Sequence, residues 1–170
     1  EQLEKIAAGL RLQQRETGEW GQHPEAGMDL SATVKSYFAL KLMGDDPDAP
    51  HMARARELIR KGGGAESCNT FTMFYLACLG QVPWAAVPAI PPEIILLPRW
   101  FYFTIWKISA WTRAMIMPLA ILSAHRPVRK LTPEQGIDEL FVDDRARRTL
   151  AFETGAPPFW KFFFKTVDHA

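Results

Sequence analysis

Cysteine is nearly absent: Cys68 and Cys78 are the only two in 170 residues. That is too few for a disulfide framework, and no Cys/His group has zinc-ligand spacing. Such sparse cysteine usage fits a reducing, cytoplasmic setting. An excess of one charge is also missing. Lys and Arg number 20 against 19 Asp and Glu, a formal charge of +1. So even a balance leaves no electrostatic footprint for nucleic acid. Nor is there an unbroken hydrophobic run. The most apolar stretch, 82–122, is interrupted by Pro83, Pro88, Pro91, Pro92, Pro98 and Pro118, and by Glu93, Arg99, Lys107 and Arg113. A membrane-spanning helix needs about 20 predominantly apolar residues with few charges. The opening, Glu1-Gln2-Leu3-Glu4-Lys5, is charged, and no signal peptide is visible. Because it starts on Glu1 rather than an initiator methionine, the chain reads as a segment of a longer protein.

Catalytic signatures are scarce as well. The carboxylate pairs Asp45-Asp46 and Asp143-Asp144 lie in polar surroundings and read as solvated loops. A strong general acid needs a tuned site, which polar surroundings do not supply. His23, His51, His125 and His169 are scattered. Gly62-Gly63-Gly64 lacks a following Lys-Ser/Thr and reads as a helix stop rather than an anion cradle. No metal site is expected.

Helical spacing is what the chain does have. Leu3, Ile6, Ala7 and Leu10 make one apolar face over residues 2–15. Val34, Tyr37, Phe38 and Leu42 stripe a helix over 31–43, stopped by Gly44. Met52, Ala55, Leu58 and Ile59 stripe another that runs to Lys61, with Asp48 as its expected cap. A fourth, over 67–79, is apolar almost all round and is expected to be buried on most sides. Residues 1–80 are therefore expected to stack as paired helices, in a solenoid or a closed ring. The proline-rich segment 82–107 breaks the pattern. It is expected to be extended, with a short helix at 92–97, and too apolar to be a solvated linker. Ser109 or Thr112 starts a helix through residue 124, and Thr132-Pro133-Glu134-Gln135 is a capping box. Residues 108–170 thus add further helices and a charged loop.

Aromatics are the strongest remaining signal. Phe71, Phe74, Tyr75, Trp100, Phe101, Tyr102, Phe103, Trp106 and Trp111 crowd one region of the chain. Packed core is the ordinary reading of such rings. The sharper one is a large apolar cavity whose π-faces hold a hydrocarbon by area and stabilise a passing cation. Phe159, Trp160, Phe162 and Phe163, flanked by Lys161 and Lys165, suit either a helix lying in a bilayer interface or a buried helix of a larger protein.

These residues also carry a family resemblance. Gln14-Arg15-Glu16-Thr17-Gly18-Glu19-Trp20 resembles the repeated Gln/Trp motif of the triterpene cyclases, with Gln14, Gly18 and Trp20 at its conserved-type positions. Phe71-Thr72 through Leu76-Ala77 to Gly80 follows. Then come Val87-Pro88-Ala89-Ile90-Pro91-Pro92-Glu93-Ile94-Ile95-Leu96-Leu97-Pro98 and Ser109-Ala110-Trp111-Thr112-Arg113-Ala114. Order and spacing resemble an N-terminal-half segment of the bacterial squalene–hopene cyclases.

The resemblance implies a mainly α fold, a segment of an α/α barrel with a proline-rich irregular insertion. It implies a monotopic enzyme on the cytoplasmic membrane that cyclises squalene to hopene and hopanol. An Asp-x-Asp-Asp aspartic acid protonates the substrate there, and no cofactor or metal is implied. Trp111, Phe71 and Tyr75 match cavity-wall positions, and Ile108 and Ile116 match the entrance channel. Phe159, Trp160, Phe162 and Phe163 fall near the membrane-contacting helix. Implied partners are squalene, the membrane surface and the remainder of the cyclase chain; a homodimer stays open, and nucleic acid is not expected.

The chain departs from the pattern in four places. Asp-x-Asp-Asp is absent, since Asp45-Asp46-Pro47-Asp48 has another order and place, so the proton donor is expected outside these residues and the segment alone is expected to be inactive. Lys35 stands where relatives carry Glu, and Asn69 where they carry Arg. Gly9 and Leu10 occupy the place of the motif's upstream aromatic. Two alternatives remain: a cyclase of another linear polyprenyl substrate, and a non-catalytic helical-repeat binding module.

Overall fold

The structure is a computed structural model that describes residues 1–143, Pro24 and Phe103 excepted. Among the described residues it is mainly helical, without strands. Five α-helices follow in order: α1 (Gln2–Gln13), α2 (Leu30–Leu42), α3 (Pro50–Lys61), α4 (Thr70–Cys78) and α5 (Ala110–His125), joined by loops and short 3-10 turns. Side chains set three of the starts. Asp29, Asn69 and Ser109 accept hydrogen bonds from the backbone N–H groups of Ala32, Thr72 and Thr112. Each satisfies one of the donors that a helix start leaves unpaired. Thr132 and Gln135 form the expected capping box, around a single 3-10 turn.

Helix α2 is the centre of the core. Its Val34, Tyr37, Phe38 and Leu40 are fully buried. Met52, Ala55 and Ile59 of α3 and Met73, Phe74, Leu76 and Ala77 of α4 join the same cluster. Ile137, Leu140 and Phe141 return to it from the far end of the described chain. A buried polar tie fixes that return. Lys41 Nζ donates to Glu139 Oε1 at 2.6 Å and to the Gly136 carbonyl, and the Tyr37 hydroxyl donates to Glu139 Oε1 at 2.9 Å. Burial, then the neighbouring Glu139 carboxylate, pushes the Tyr37 phenol well above its usual range.

Helices α2 and α4 run side by side in the same direction. The Asn69 N–H donates to Ser31 Oγ at 3.0 Å at their starts. Further along, the rings of Phe38 and Tyr75 meet edge to face at 6.0 Å. The two contacts fall in the same order on both helices, so the pair is parallel. Helix α3, polar on its outer side, follows α2 through a short loop.

The Gln14–Trp20 turn ties three helices together. Gln14 Nε2 donates to the Gly18 carbonyl at 2.8 Å and to the His51 carbonyl of α3 at 2.9 Å. The buried Trp20 indole donates to the Leu10 carbonyl of α1 at 2.9 Å. The Trp20 N–H donates to Thr33 Oγ1 of α2 at 3.2 Å. Gly18 has φ +106°, and a Cβ there would lie 2.8 Å from Arg54 Cβ. Glycine is therefore required both by conformation and by space.

Several sequence expectations need correction. Leu3 and Ile6 are exposed, because α1 docks only from the buried Ala7 onward. Asp48 does not cap α3; its carboxylate pairs with Arg56 at 3.2 Å, and Pro50 opens the helix instead. The helix expected over 67–79 is shorter: α4 starts at Thr70, after a 3-10 turn at Ala65–Ser67. Helix α4 is buried on most sides, as expected, and Phe71 and Tyr75 face outward. The insertion packs only in part. Val82, Ala86 and Val87 are buried, whereas Leu96, Trp100, Tyr102 and Trp106 are exposed. The insertion alternates extended stretches with 3-10 turns at Trp84–Ala86, Pro92–Leu96 and Ile105–Lys107, and it meets α5, where the Ile90 N–H donates to Ser123 Oγ at 3.1 Å. The charged segment beyond Asp143 and the cluster Phe159, Trp160, Phe162 and Phe163 lie outside the described residues.

Replacing Trp20 by Ala empties a packed site and orphans the Leu10 carbonyl. The expected cost is ~3–5 kcal/mol. Gly18→Ala is expected to cost at least ~1 kcal/mol, because an L side chain resists positive φ. Denaturant unfolding of each variant checks both. Unchanged midpoints would contradict the three-helix tie.

Candidate functional site

Helix α4 buries Thr72, Met73, Phe74, Leu76 and Ala77. That leaves Phe71 and Tyr75, one turn apart, on a single outward stripe. Phe71 is 55% exposed and Tyr75 38%. The buried Phe74 lies beside this stripe and meets Trp84 edge to face at 6.0 Å. An apolar helix with two neighbouring rings left open presents a π-surface to whatever lies beside it.

Trp111 stands in the first turn of α5 and is 74% exposed. Ile108 lies just before the Ser109 cap, and Ile116 two turns further along; both are half-buried. The structure thus brings Phe71 and Tyr75 together on α4, and it places Ile108, Trp111 and Ile116 along the start of α5. No ring contact joins Trp111 to the α4 pair among the described residues.

Phe71 also borders an open depression of about 450 Å³, whose rim includes Gln22, Asp29, Lys35, Ser36 and Asn69. Lys35 and Asn69 therefore share one polar hollow beside Phe71. Asn69 is occupied there as the cap of α4. Tyr75 and Trp111 do not border it.

The titratable groups are set for structure rather than acid catalysis. The solvated-loop expectation fails at Asp45, whose side chain is only 4% exposed. Arg11 of α1 grips it with two N–H groups, and His51 Nε2 of α3 lies 2.8 Å from Oδ2. The Arg11 hydrogen bond holds the Asp45 carboxyl below the usual carboxylate range. A carboxylate held ionised is a poor proton donor toward an alkene. Burial pushes the Cys68 thiol up to about 11, so it is not a ready thiolate nucleophile. Among the described residues no three His, Cys, Asp or Glu side chains cluster as metal ligands.

Sequence reasoning missed two features. The Tyr37–Lys41 spacing puts both on one helix face, which was legible. Their partner Glu139 lies 98 residues beyond Lys41, and no local pattern announces it. Phe38 read as one more core residue, yet it carries the ring contact to Tyr75.

Residues 1–170 match the squalene-hopene cyclase N-terminal domain family. The chain belongs to that family. It is 44% identical over 164 residues to the squalene--hopene cyclase of Zymomonas mobilis, covering 96% of this chain and 24% of the relative. It is 46% identical over 167 residues to that of Bradyrhizobium diazoefficiens, covering 96% and 25%. Against the enzyme of Alicyclobacillus acidocaldarius it is 36% identical, covering 100% and 26%. The chain therefore spans about a quarter of the length of the curated relatives it matches.

The Asp45 clasp has a defined pH response. A carboxyl with a depressed folded-state pKa stabilises the fold above its unfolded-state pKa. That contribution is lost as pH falls through the folded value. Thermal unfolding of the native protein and of Asp45→Asn is expected to show a gap near neutrality that closes on acidification below the usual carboxylate range. A gap unchanged by pH would contradict the clasp.

Proposed function

We propose that this segment forms part of the chamber wall and the entrance of a terpene cyclase that converts squalene to hopene and hopanol. The observation that carries this reading is the outward pair Phe71 and Tyr75 on an otherwise buried helix. Family membership and the names of its relatives support it. Parallel α2 and α4, with the more polar α3 between them in sequence, support placing the segment in an α/α barrel.

The chemistry explains the residue types. Squalene is a hydrocarbon without a polar handle, so its binding rests on buried apolar area, at roughly 25 cal/mol per Å². Protonation of a terminal double bond creates a carbocation, and successive alkene attacks move the charge along the chain. Loss of a proton gives hopene; capture of water gives hopanol. The wall must stabilise the cation without offering a nucleophile. Aromatic faces within about 6 Å do so through their quadrupole. Phe71 and Tyr75, with Trp111, take this role. Ile108 and Ile116 narrow the entrance with side chains that carry no polar atom.

The acid comes from elsewhere in the full-length chain, because these 170 residues contain no Asp-x-Asp-Asp. Squalene dissolves in membranes, and we place the enzyme on the cytoplasmic face of the membrane as a monotopic protein. The exposed rings of Trp100, Tyr102 and Trp106 beside Arg99 and Lys107 support a surface seat. Among the described residues no helix is long and apolar enough to cross a bilayer.

Full-length enzyme carrying Phe71→Ala, Tyr75→Ala or Trp111→Ala is expected to release incompletely cyclised hydrocarbons, measured by gas chromatography of products from squalene. Wild-type product ratios in all three variants would refute the wall. The 170-residue segment alone, incubated with squalene in detergent, is expected to form no hopene; hopene would refute the placement of the acid.

A further inference from the structure

Tyr75 has an unusual set of restraints. Its hydroxyl has no hydrogen-bond partner among the described residues, and its only ring contact there is Phe38. The two centroids are 6.0 Å apart and the planes lie at 72°. Phe38 is fully buried in α2, whereas Tyr75 is 38% exposed. The inner ring is thus immobilised by the core, and the outer ring leans on it. The backbone beneath the pair is fixed independently. Asn69 N–H bonds Ser31 Oγ, and the Asn69 side chain caps α4. With the two helix starts fixed, what remains free at Tyr75 is rotation of the ring itself. Edge-to-face contact with Phe38 limits that rotation.

We infer that Phe38 is a positioning residue for the cyclisation: it sets the tilt of the Tyr75 ring toward the passing carbocation. The inference rests on the proposed wall. Phe38 does not touch substrate, because none of its surface is accessible. Its influence passes through one aromatic contact. A cation–π interaction depends on presenting the face rather than the edge of the ring, so a Tyr75 free to swing stabilises the cation for a smaller share of the time. The cation then loses its proton early, and cyclisation stops short. Phe71 makes no ring contact among the described residues, which separates the two wall rings by role: one fixed, one adjustable.

The test uses full-length enzyme with three variants: Phe38→Leu, Phe74→Leu and Tyr75→Ala. Phe74 is the control, a buried phenylalanine of α4 whose ring packs on Trp84. Products from squalene, kcat and KM are measured, with thermal midpoints alongside. Phe38→Leu is expected to raise the share of incompletely cyclised products and to lower kcat about two- to tenfold, the worth of one aromatic pair, with KM little changed. Phe74→Leu is expected to lower the thermal midpoint comparably while keeping wild-type product ratios. Wild-type ratios in Phe38→Leu, with altered ratios in Tyr75→Ala, would overturn the positioning role and leave the wall standing. Equal changes in Phe38→Leu and Phe74→Leu would overturn it too, as a general loss of packing. Wild-type ratios in Tyr75→Ala would remove Tyr75 from the wall and overturn the inference with it, leaving Phe71 and Trp111 to decide the wall.

Discussion

The turn from Gln14 to Trp20 is the tie on which the other helix positions depend. A single indole N–H closes onto α1 while the adjoining backbone N–H reaches α2. Gln14 spans to the start of α3. None of these bonds is strong by itself; a typical net contribution is about 1 kcal/mol. Their value lies in geometry. Three helices that share one buried junction cannot slide independently. The Asp45 clasp adds a second link among the same elements, from Arg11 on α1 to His51 on α3.

With α2 fixed, α4 has little freedom. It is pinned at its start by Ser31 and capped by Asn69, and its inner side is filled by Met73, Phe74, Leu76 and Ala77. The consequence is functional as well as structural. Turning α4 by about one residue's worth, roughly 100°, would bury Phe71 and Tyr75 and expose core residues instead. The open aromatic stripe is therefore a result of how the core is filled. The same logic reaches the far end of the described chain. The Lys41–Glu139–Tyr37 tie brings the Pro133–Gln135 turn and the residues after it back to α2.

Much of this was legible in the sequence. Helices α2, α3 and α5 lie within two residues of their expected bounds, because an apolar helical period marks each and a glycine stops α2 and α3 while Ser109 caps α5. The Gln14, Gly18 and Trp20 positions were legible too, although their partners were not. Other points failed for physical reasons. The amphipathic face of α1 could not reveal that only the part from Ala7 onward finds a partner. The apolar circuit of α4 concealed an open stripe, since an exposed ring and a core ring have the same hydropathy. Asp45 looked solvated because its guanidinium partner lies 34 residues away. Among the candidate site residues, Phe71 and Tyr75 were named through the family resemblance, while periodicity alone read their helix as buried on most sides. The relation of Trp111 to that pair was implied only by family resemblance, and the described residues bring no contact between them.

The central claim is that Phe71 and Tyr75 face a hollow that holds a hydrocarbon cation. It is tested most directly by a crystal structure of the full-length enzyme with an unreactive polyene carrying an ammonium nitrogen in place of a cationic carbon. The account expects the rings of Phe71 and Tyr75 to line the ligand, with Tyr75 still edge-on to Phe38 and at least one ring face within about 6 Å of the nitrogen. Both rings packed against protein, with the ligand bound in a chamber that neither of them reaches, would contradict it.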